Sequence, residues 1–302
     1  MKNKKTIFVP ATSANVGPGF DCLGIALDMY NEIEYDLVGD SGDFEAEIIG
    51  EGQDSLSNGK ENLVYFSFKK TFDFFKKNPP GIKIKQINRI PLSRGLGSSS
   101  AAIVGGIVLA NEVLGNTLTI NEMLKIAVDI EGHPDNVAPA LLGGFVISFK
   151  ENDDIISKKI NVPEQISSTV IVPNFQLSTK DSRGVLPKAV PMEDAIFNIS
   201  RATLLISSLI TEDYEMIKLA FADKLHQNYR ATLIPGLLEV IEEAEKMDIL
   251  GTALSGAGPS IIIYHKTEAK FNVEKLTNIL EKKNIFSKIY QLKPINNGFI
   301  VK

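Results

Sequence analysis

The segment Pro91-Leu92-Ser93-Arg94-Gly95-Leu96-Gly97-Ser98-Ser99-Ser100-Ala101-Ala102 joins a predicted strand to a predicted helix. Ile82, Ile84 and Ile87 indicate the strand, and small apolar residues up to Leu114 indicate the helix. Two glycines allow a tight turn, and a cluster of serines opens the helix. Free backbone N–H groups and the positive end of the helix dipole then meet at one place, an arrangement that binds phosphate.

Other interpretations of this loop can be compared with the same residues. The structural alternative is a serine N-cap after a glycine turn. A Walker A loop is excluded because no lysine follows the glycines, and a Rossmann fingerprint is excluded because Ser100 stands at the third glycine position. The H-R-D and D-F-G signatures of protein kinases are also absent from the sequence.

The composition is that of an ordinary globular protein. The chain has 302 residues, of which 44% are hydrophobic and 23% are charged, and its formal net charge is −5. These proportions exclude wholesale disorder, collagen-like repeats and a disulfide scaffold. The acidic balance argues against a nucleic-acid partner, since affinity for the phosphate backbone needs an excess of Lys and Arg.

Three features predict a cytoplasmic protein without membrane association. Cys22 is the only cysteine, so no intrachain disulfide can form and a reducing compartment is expected. The basic start Met1–Lys5 is followed by an apolar run that is too short for a signal peptide. The longest apolar stretch, Ala101 to Ala110, is far shorter than the roughly 20 residues that span a bilayer.

Periodicity along the chain predicts helices and mainly antiparallel strands in two fused layers, the α+β class. Ile33, Tyr35 and Leu37 alternate with acidic residues, which indicates a half-buried strand. The two halves of the chain use different arrangements of strands and helices. We expect a domain boundary between Lys150 and Pro163, which gives domains over residues 1–155 and 156–302.

A second segment, Pro10 to Gly24, follows the short predicted strand Thr6–Val9 and is rich in turn-forming residues. A long loop of this kind more often serves binding than packing. Asn15 and Asp21 are the polar side chains of this loop that are long enough to contact a ligand. The alternative is that both side chains only cap turns.

A third segment, Glu131 to Ala140, comes at the end of a predicted helix. Glu131, His133, Asp135 and Asn136 supply two carboxylates, an imidazole and an amide within six residues. A lone histidine is more often structural, but a histidine between two carboxylates favours a functional site.

Together with Ala253-Leu254-Ser255-Gly256-Ala257-Gly258-Pro259-Ser260, these three segments resemble the motifs of the GHMP kinase superfamily. Within it, SANVGPGFDCLG in the second segment and EGHPDNVAP in the third are most similar to the homoserine kinase family. The resemblance covers nearly the full length of the chain. It implies an N-terminal domain with a left-handed β-α-β crossover, a C-terminal ferredoxin-like domain and an active site between them.

The resemblance also implies a reaction and its partners. The γ-phosphate of ATP would be transferred to the side-chain hydroxyl of L-homoserine, which gives O-phospho-L-homoserine on the route to threonine. ATP and L-homoserine would be the ligands and Mg²⁺ the cofactor. The resemblance further suggests a homodimer.

Homoserine carries an ammonium, a carboxylate and an alcohol, and the residues at matching positions suit these groups. Asp21 would take the ammonium, while Arg183 and Arg230 would grip the carboxylate through planar guanidinium forks. For a lone arginine, the alternative is a solvated surface ion. The residues that the resemblance assigns to the substrate are Asn15, Asp21, His133, Thr179, Arg183, Arg230 and the backbone of Gly256.

For ATP, the resemblance implies that the phosphates lie over the glycine-serine loop, with the adenine near Asn62. Mg²⁺ prefers oxygen ligands and keeps several waters, so Ser98 or Ser99 together with Glu131 would suffice. The residues assigned to ATP are Asn62, Pro91, Leu92, Ser93, Arg94, Gly95, Leu96, Gly97, Ser98, Ser99, Ser100 and Ala101.

The catalytic residues are expected to be His133, Asp135 and Asn136. Phosphoryl transfer needs mainly positioning and charge neutralisation, so Asp135 is a candidate general base and transfer without a base remains an alternative. Two other functions are compatible with the fold: a mevalonate-type small-molecule kinase, and a non-catalytic metabolite sensor. Asp21 argues against the mevalonate-type kinase, because an acidic residue would repel the carboxylate of that substrate. The presence of Glu131 and of the serine cluster argues against the metabolite sensor.

Overall fold

A computed structural model describes residues 5–39 and 41–302. The first four residues of the basic start, which the signal-peptide argument used, lie outside the described residues. Two β-sheets, of seven and four strands, are combined with helices, which confirms the α+β class. Among the described residues no helix is long and apolar enough to cross a membrane.

The first part of the chain alternates strands and helices. Its elements are β1 (Thr6–Ala14), β2 (Leu23–Leu37), β3 (Phe44–Gly50), α1 (Leu63–Phe74), β4 (Ile82–Asn88), α2 (Ser98–Val113), α3 (Ile120–Glu131), α4 (Pro134–Leu142), β5 (Phe145–Glu151) and β6 (Asp154–Ile160). The predicted strands and helices of this region are confirmed in position, except that β1 runs past its predicted end and β2 begins well before its predicted start.

The second part contains a small sheet and most of the helices. Its elements are β7 (Ile166–Pro173), α5 (Thr179–Gly184), α6 (Met192–Thr211), α7 (Tyr214–Lys218), α8 (Gln227–Arg230), α9 (Leu237–Ala244), β8 (Gly251–Leu254), β9 (Ile261–Lys266), α10 (Val273–Glu281), β10 (Ser287–Leu292) and β11 (Ile300–Val301).

The larger sheet has the order β11-β1-β2-β4-β3, and β5 extends it from the other half of β2. β3 and β4 are parallel and are joined through α1, which forms a β-α-β unit. The long strand β2 pairs with β4 over Glu32–Leu37 and with β5 over Leu23–Ile25. The other pairings in this sheet are antiparallel.

The smaller sheet has the order β10-β7-β9-β8, and its pairings are antiparallel. Numbered along the chain, this order is 4-1-3-2, with α10 between its third and fourth strands. The order is that of a ferredoxin-like sheet, as the family resemblance implies for the C-terminal domain.

The predicted domain boundary between residues 155 and 156 falls inside β6. Because β6 pairs with β5 along its whole length, this strand belongs to the first sheet. The chain also returns to that sheet at its end, where β11 pairs with β1. We propose that the two domains divide between Ile160 and Ile166, with residues 300–301 returning to the first.

Two segments predicted as loops are more regular than expected. β1 continues through Ala14 because Ala11 and Thr12 pair with Leu27 and Ala26 of β2, so only residues 15–22 form the loop. The third segment contains α4, which begins at Pro134 in the first helical position. A proline there has a preset φ angle and needs no N–H partner, so its presence favours a helix start.

The glycine-serine loop stands on a tightly packed base. A Cβ added to Gly106 of α2 would lie 2.2 Å from the carbonyl oxygen of Val64 in α1. A Cβ at Gly105 would lie 2.4 Å from the side chain of Ile33 in β2. Small residues therefore let α2 approach both the neighbouring helix and the sheet.

Phe68 of α1 gives a direct test of this packing. It is fully buried, and its ring packs at a tilt against that of Phe72 in the next turn, with 4.9 Å between ring centroids. Phe68→Ala is expected to lower the free energy of unfolding by about 3–5 kcal/mol, because it removes buried apolar contacts and leaves a cavity. Phe66→Ala is the control on the same helix, since Phe66 is 42% exposed. Similar losses in chemical denaturation for both variants would contradict this packing.

Candidate active site

A cleft of about 350 Å³ opens between the two domains. It is lined by the loop after β1, the glycine-serine loop, the junction of α3 and α4, α5, Arg230 and the turn after β8. The three motifs quoted from the first half of the sequence and the glycine-rich turn of the second half therefore meet at one place.

The glycine-serine loop leaves the start of α2 open toward the cleft. The N-cap is Gly97, with a left-handed φ of 70°, and no side chain caps the helix. The predicted alternative, a serine N-cap, is therefore wrong. Because the first N–H groups of a helix have no intrahelical partner, those of Ser98, Ser99 and Ser100 are the donors that this end can offer to an anion.

Glycines in this loop are also required by its neighbours. A Cβ at Gly97 would lie 2.0 Å from Oγ1 of Thr12, and one at Gly95 would lie 2.1 Å from the carbonyl oxygen of Ser255. Oγ of Ser255 lies 2.6 Å from the carbonyl oxygen of Gly95. The turn after β8 therefore rests directly on the loop after β4.

Asn15 links the loop after β1 to the turn after β8. Its Nδ2 donates a hydrogen bond of 2.9 Å to the carbonyl of Gly256, and its Oδ1 accepts one of 3.0 Å from the N–H of Asp21. Both Asn15 and Asp21 have positive φ angles, of 68° and 54°. These contacts support the turn-capping alternative for Asn15, whose side chain nevertheless lines the cleft.

Asp21 forms a two-pronged ion pair with Arg183. The two hydrogen bonds measure 2.9 and 2.7 Å, and both side chains are about one-third exposed. Burial acts to lower the pKa of Arg183, but the hydrogen bonds and charge of Asp21 outweigh it and raise that pKa. The predicted ammonium-binding and carboxylate-binding groups are thus paired with each other at the cleft.

Arg230 is 2% exposed, so it is not the solvated surface ion of the alternative interpretation. Its guanidinium donates to the carbonyl oxygens of Gly256 and Ser182 and to Nδ1 of His226. In the part of the chain that the structure describes, no carboxylate is hydrogen-bonded to it. Burial, with the charge of Arg183 as a second cause, lowers the pKa of Arg230 to about 10, so it remains a cation at neutral pH.

Glu131 faces the serine cluster from the end of α3. Its two carboxylate oxygens accept hydrogen bonds from Oγ of Ser99 at 3.2 Å and from Oγ of Ser100 at 2.8 Å. Ser98 lines the cleft but is not among the hydrogen-bond donors to Glu131. A carboxylate and hydroxyls beside an open helix end form an all-oxygen donor set, which suits Mg²⁺ held jointly with phosphate oxygens. Within residues 5–39 and 41–302, no cluster of three His, Cys, Asp or Glu side chains offers a metal site.

His133 and Asp135 form a second pair at the start of α4. Nδ1 of His133 lies 2.8 Å from Oδ1 of Asp135, which is almost fully buried. The hydrogen bond of Asp135 is the main cause that raises the pKa of His133, against an opposing effect of burial. Oδ1 of Asn136 accepts a hydrogen bond of 2.8 Å from Oγ1 of Thr12, which ties the third segment to β1.

The residues assigned to ATP do not all face the cleft. Leu92, Ser93 and Arg94 line it, as do the glycines and serines, whereas Pro91, Leu96 and Ala101 do not. Leu96 and Ala101 are almost completely buried and support the loop from beneath.

Asn62 lines the cleft, but its side chain is used within the fold. Its Oδ1 caps α1 by accepting from the N–H of Val64, and its Nδ2 donates to Ser57 and Gln86. Both amide hydrogens are thus engaged, which leaves little of this side chain to recognise an adenine edge.

Several lining residues were not predicted from the sequence. Gln86 and Asn88 of β4 continue the inward face that Ile82 and Ile84 begin, and they line the cleft beside Asn62. Amides on the buried face of a strand are a signal that could have found them. His226, which lies behind Arg230, had no such signal, because its neighbours come from distant parts of the chain.

Comparison with known proteins agrees with the geometry. Residues 62–144 match the family model for the GHMP kinases N terminal domain, and residues 205–280 match that for GHMP kinases C terminal. A homoserine kinase of Carboxydothermus hydrogenoformans is 48% identical over 256 residues, which cover 85% of this chain and 83% of the relative. One of Clostridium botulinum (strain Kyoto) is 44% identical over 293 residues, which cover 97% of each.

Solved structures share the whole fold. The crystal structure of a homoserine kinase from Cytophaga hutchinsonii has a TM-score of 0.90 at 31% identity, covering 100% of this chain and 98% of that one. A mevalonate kinase structure has a TM-score of 0.63 at 18% identity, covering 97% and 99% of the two chains, and shares the fold alone.

The cleft between a β-α-β-containing domain and a ferredoxin-like domain, with an open helix end at a glycine-serine loop, defines a GHMP kinase. Both family models lie in their expected order along the chain. Within that class, the chain belongs to the homoserine kinase family, since its relatives of that name are 44–48% identical over most of its length.

The pair of His133 and Asp135 gives a test by NMR. Asp135→Asn is expected to lower the pKa of His133, because the hydrogen bond of the carboxylate is lost. The imidazole signals can be followed by ¹H–¹⁵N titration, since the chain has only 3 histidines. A raised pKa means that this pair adds stability at low pH, which is lost as the pH rises through the folded-state value.

Glu131→Gln is the matched control for this titration. Glu131 also raises the pKa of His133, but only through its charge and as the weakest of the causes. Equal shifts in the two variants would contradict the hydrogen bond as the main cause.

Proposed function

We propose that the chain transfers the γ-phosphate of ATP to the side-chain hydroxyl of L-homoserine and forms O-phospho-L-homoserine. The observation that carries the proposal is the set of charges beside the open end of α2. Asp21, Arg183 and Arg230 line the same cleft as the glycine-serine loop and Glu131. One acidic and two basic side chains match an α-amino acid, and the helix end matches a phosphate.

The amino-acid end of the site works by exchange of ion pairs. In the structure, Asp21 and Arg183 form an ion pair with each other. A zwitterionic amino acid can replace this ion pair with two ion pairs of its own. Its ammonium pairs with Asp21, and its carboxylate pairs with Arg183 and Arg230. A ligand with only one of these charges breaks the Asp21–Arg183 pair and leaves one side chain without a partner, which is unfavourable in a partly buried site.

Thr179, His133 and Asn15 line the same cleft as these charged groups and the phosphate loop. The carbonyl of Gly256 accepts hydrogen bonds from both Asn15 and Arg230, so its contribution is to position them. These contacts support the assignment of the substrate end of the cleft.

The phosphate end is formed by the loop after β4 and the first turn of α2. N–H groups of Ser98 to Ser100 are expected to donate to phosphate oxygens, and Arg94 lines the same region. Of the two serines assigned to Mg²⁺ together with Glu131, Ser99 is favoured over Ser98, because Ser99 is hydrogen-bonded to Glu131 and Ser98 is not. When bound, Mg²⁺ neutralises charge on the phosphates.

The transfer itself is an in-line displacement. The hydroxyl oxygen of homoserine attacks the γ-phosphorus, the bond from that phosphorus to the β,γ-bridging oxygen breaks, and ADP leaves. His133 and Asn136 orient the hydroxyl, while the helix end stabilises the charge on the transferred group. Asp135 is the candidate acceptor of the hydroxyl proton, and transfer with release of the proton to the phosphate or to water is the alternative.

Two further parts of the proposal concern the setting of the enzyme. The single Cys22, which is unpaired, supports a cytoplasmic location. A homodimer is supported by the apolar residues that α6 exposes. These are Met192, Ile196, Ile199 and Ile210.

The test of this function is ADP release with Mg·ATP and a panel of acceptors. We expect turnover with L-homoserine well above that with mevalonate, galactose, L-serine or L-threonine. Turnover with mevalonate instead would retain the fold and reject the amino-acid pocket. Binding of ATP without turnover on any acceptor would favour a metabolite sensor.

Asp21→Asn refines the same assay. It keeps the shape of the side chain but removes its charge, so kcat/KM for L-homoserine is expected to fall about 10- to 100-fold, chiefly through KM. Asp248→Asn is the control, because Asp248 is in an exposed ion pair with Lys218. An unchanged kcat/KM in Asp21→Asn would remove Asp21 from the ammonium role.

Asp135→Asn tests whether Asp135 accepts the proton of the substrate hydroxyl. If Asp135 accepts the hydroxyl proton, kcat is expected to fall about 100-fold or more, the usual size of general-base effects. Retention of most of the turnover would make a base role untenable and favour transfer without a base. KM for ATP serves as the control measurement, since Asp135 is not among the residues assigned to ATP.

A further inference from the structure

His226 is fully buried behind the amino-acid end of the cleft. Its Nδ1 lies 3.2 Å from Nη1 of Arg230, and its Nε2 lies 2.9 Å from the carbonyl oxygen of Gly17. Its ring stacks on Phe20 at 5.3 Å between centroids. The histidine therefore contacts both Arg230 and the loop that carries Asp21.

The partners of His226 determine its protonation state. An arginine guanidinium only donates hydrogen bonds, so Nδ1 must accept, and a carbonyl only accepts, so Nε2 must carry the proton. The imidazole is thus the neutral Nε2–H tautomer. Burial lowers the pKa of His226, Asp223 opposes this, and Arg230 adds to it, which agrees with a neutral ring.

Asp223 is the nearest carboxylate, but its oxygens are already occupied. It accepts hydrogen bonds from Nδ2 of Asn198 and from the N–H groups of Leu225, His226 and Gln227. Its Oδ2 is 3.7 Å from Nε2 of His226, beyond hydrogen-bond distance. Asp223 therefore holds the start of α8 and does not pair with Arg230.

A neutral partner has a specific consequence for Arg230. Three neutral acceptors fix its Nε and Nη1, while in the described part of the chain Nη2 has no hydrogen-bond partner. A carboxylate in the place of His226 would orient the guanidinium equally well but would cancel its charge. A neutral imidazole orients it and leaves the charge available to an anion in the cleft.

We propose that His226 is a positioning residue for substrate recognition, which holds Arg230 toward the carboxylate of the amino acid without neutralising it. Through Gly17 and Phe20, the same ring keeps the loop that carries Asp21 in place relative to Arg230. The proposal rests on the proposed function, in that Arg230 binds the substrate carboxylate.

Two substitutions separate the contacts of His226. Asn places an amide oxygen near the position of Nδ1 and so keeps an acceptor for Arg230. Gln places an amide nitrogen near the position of Nε2 and so keeps a donor for Gly17. His226→Gln is expected to raise KM for L-homoserine about tenfold or more, with KM for ATP unchanged, since a hydrogen bond to a charged group is lost. His226→Asn is expected to recover most of this loss.

Competitive inhibitors without the reacting hydroxyl show which substrate group is affected. L-2-Aminobutanoate carries the ammonium and the carboxylate, whereas 2-aminobutan-1-ol carries the ammonium and, in place of the carboxylate, an uncharged alcohol. His226→Gln is expected to weaken inhibition by the amino acid and to leave inhibition by the amino alcohol unchanged. Equal weakening of both would show a general disturbance of the site and overturn the proposal.

His265→Gln is the matched control. His265 is also a buried histidine, but it is hydrogen-bonded to Thr169 and to the carbonyl of Lys266 in the second sheet, and KM values are expected to stay unchanged. Inactivity of the unsubstituted chain with L-homoserine would reject the proposed function. If the unsubstituted chain is fully active but KM for L-homoserine rises equally in His226→Gln and His226→Asn, only the role of His226 would be rejected.

The unsubstituted chain provides a second measurement if a variant does not fold. The ¹⁵N signals of His226 are expected to show the neutral Nε2–H tautomer in the pH range of the kinetic assays. The charged groups that act on the ring are Asp223 and Arg230 around α8 and Asp21 of the facing loop. A ring that gains a proton in this range, or carries it on Nδ1, would overturn the proposal.

Discussion

The peptide groups of Gly256 connect the two domains at the cleft. Its N–H donates to the carbonyl of Ala14 at the end of β1, and its carbonyl accepts from Asn15 and from Arg230. One turn after β8 therefore fixes the loop of the first sheet and the buried cation of the second domain. The positions of Asp21 and Arg230 relative to each other depend on these bonds, because Asn15 also holds the N–H of Asp21.

The two arginines at the cleft are held in different ways, and the difference has a physical reason. Arg183 is partly exposed and paired with Asp21, so water can assist the opening of that pair. Arg230 is buried, and a buried ion pair would be costly to break. Neutral acceptors, including His226, orient Arg230 without such a pair. The guanidinium of Arg183 thus becomes free to bind an anion only when its pair with Asp21 opens, whereas that of Arg230 is free without breaking an ion pair.

The sequence predicted features that depend on neighbours along the chain. The glycine-serine loop, the helix after it and the three motifs follow from local spacing, and the ferredoxin-like order followed from the family resemblance. The extension of β1 through Ala14 depends on pairing with β2, and turn-forming residues concealed it. The hydrogen bonds that occupy the side chain of Asn62 were not predicted, because Gln86 is distant from it in sequence. His226 was missed for the same reason, since Gly17 and Phe20 come from the other domain.

Close approach links the phosphate end of the cleft to the amino-acid end. Gly95 has to be a glycine because Ser255 of the turn after β8 lies against it, and the next residue of that turn, Gly256, holds Arg230. Gly97 has to be a glycine because β1 lies against it at Thr12, whose hydroxyl also bonds Asn136. The backbone that leaves the N–H groups at the start of α2 open to the cleft is therefore the same backbone that supports Asn136 and Arg230. A displacement of the glycine-serine loop would move residues at both ends of the cleft. Binding of one substrate is therefore expected to change the affinity for the other through this contact.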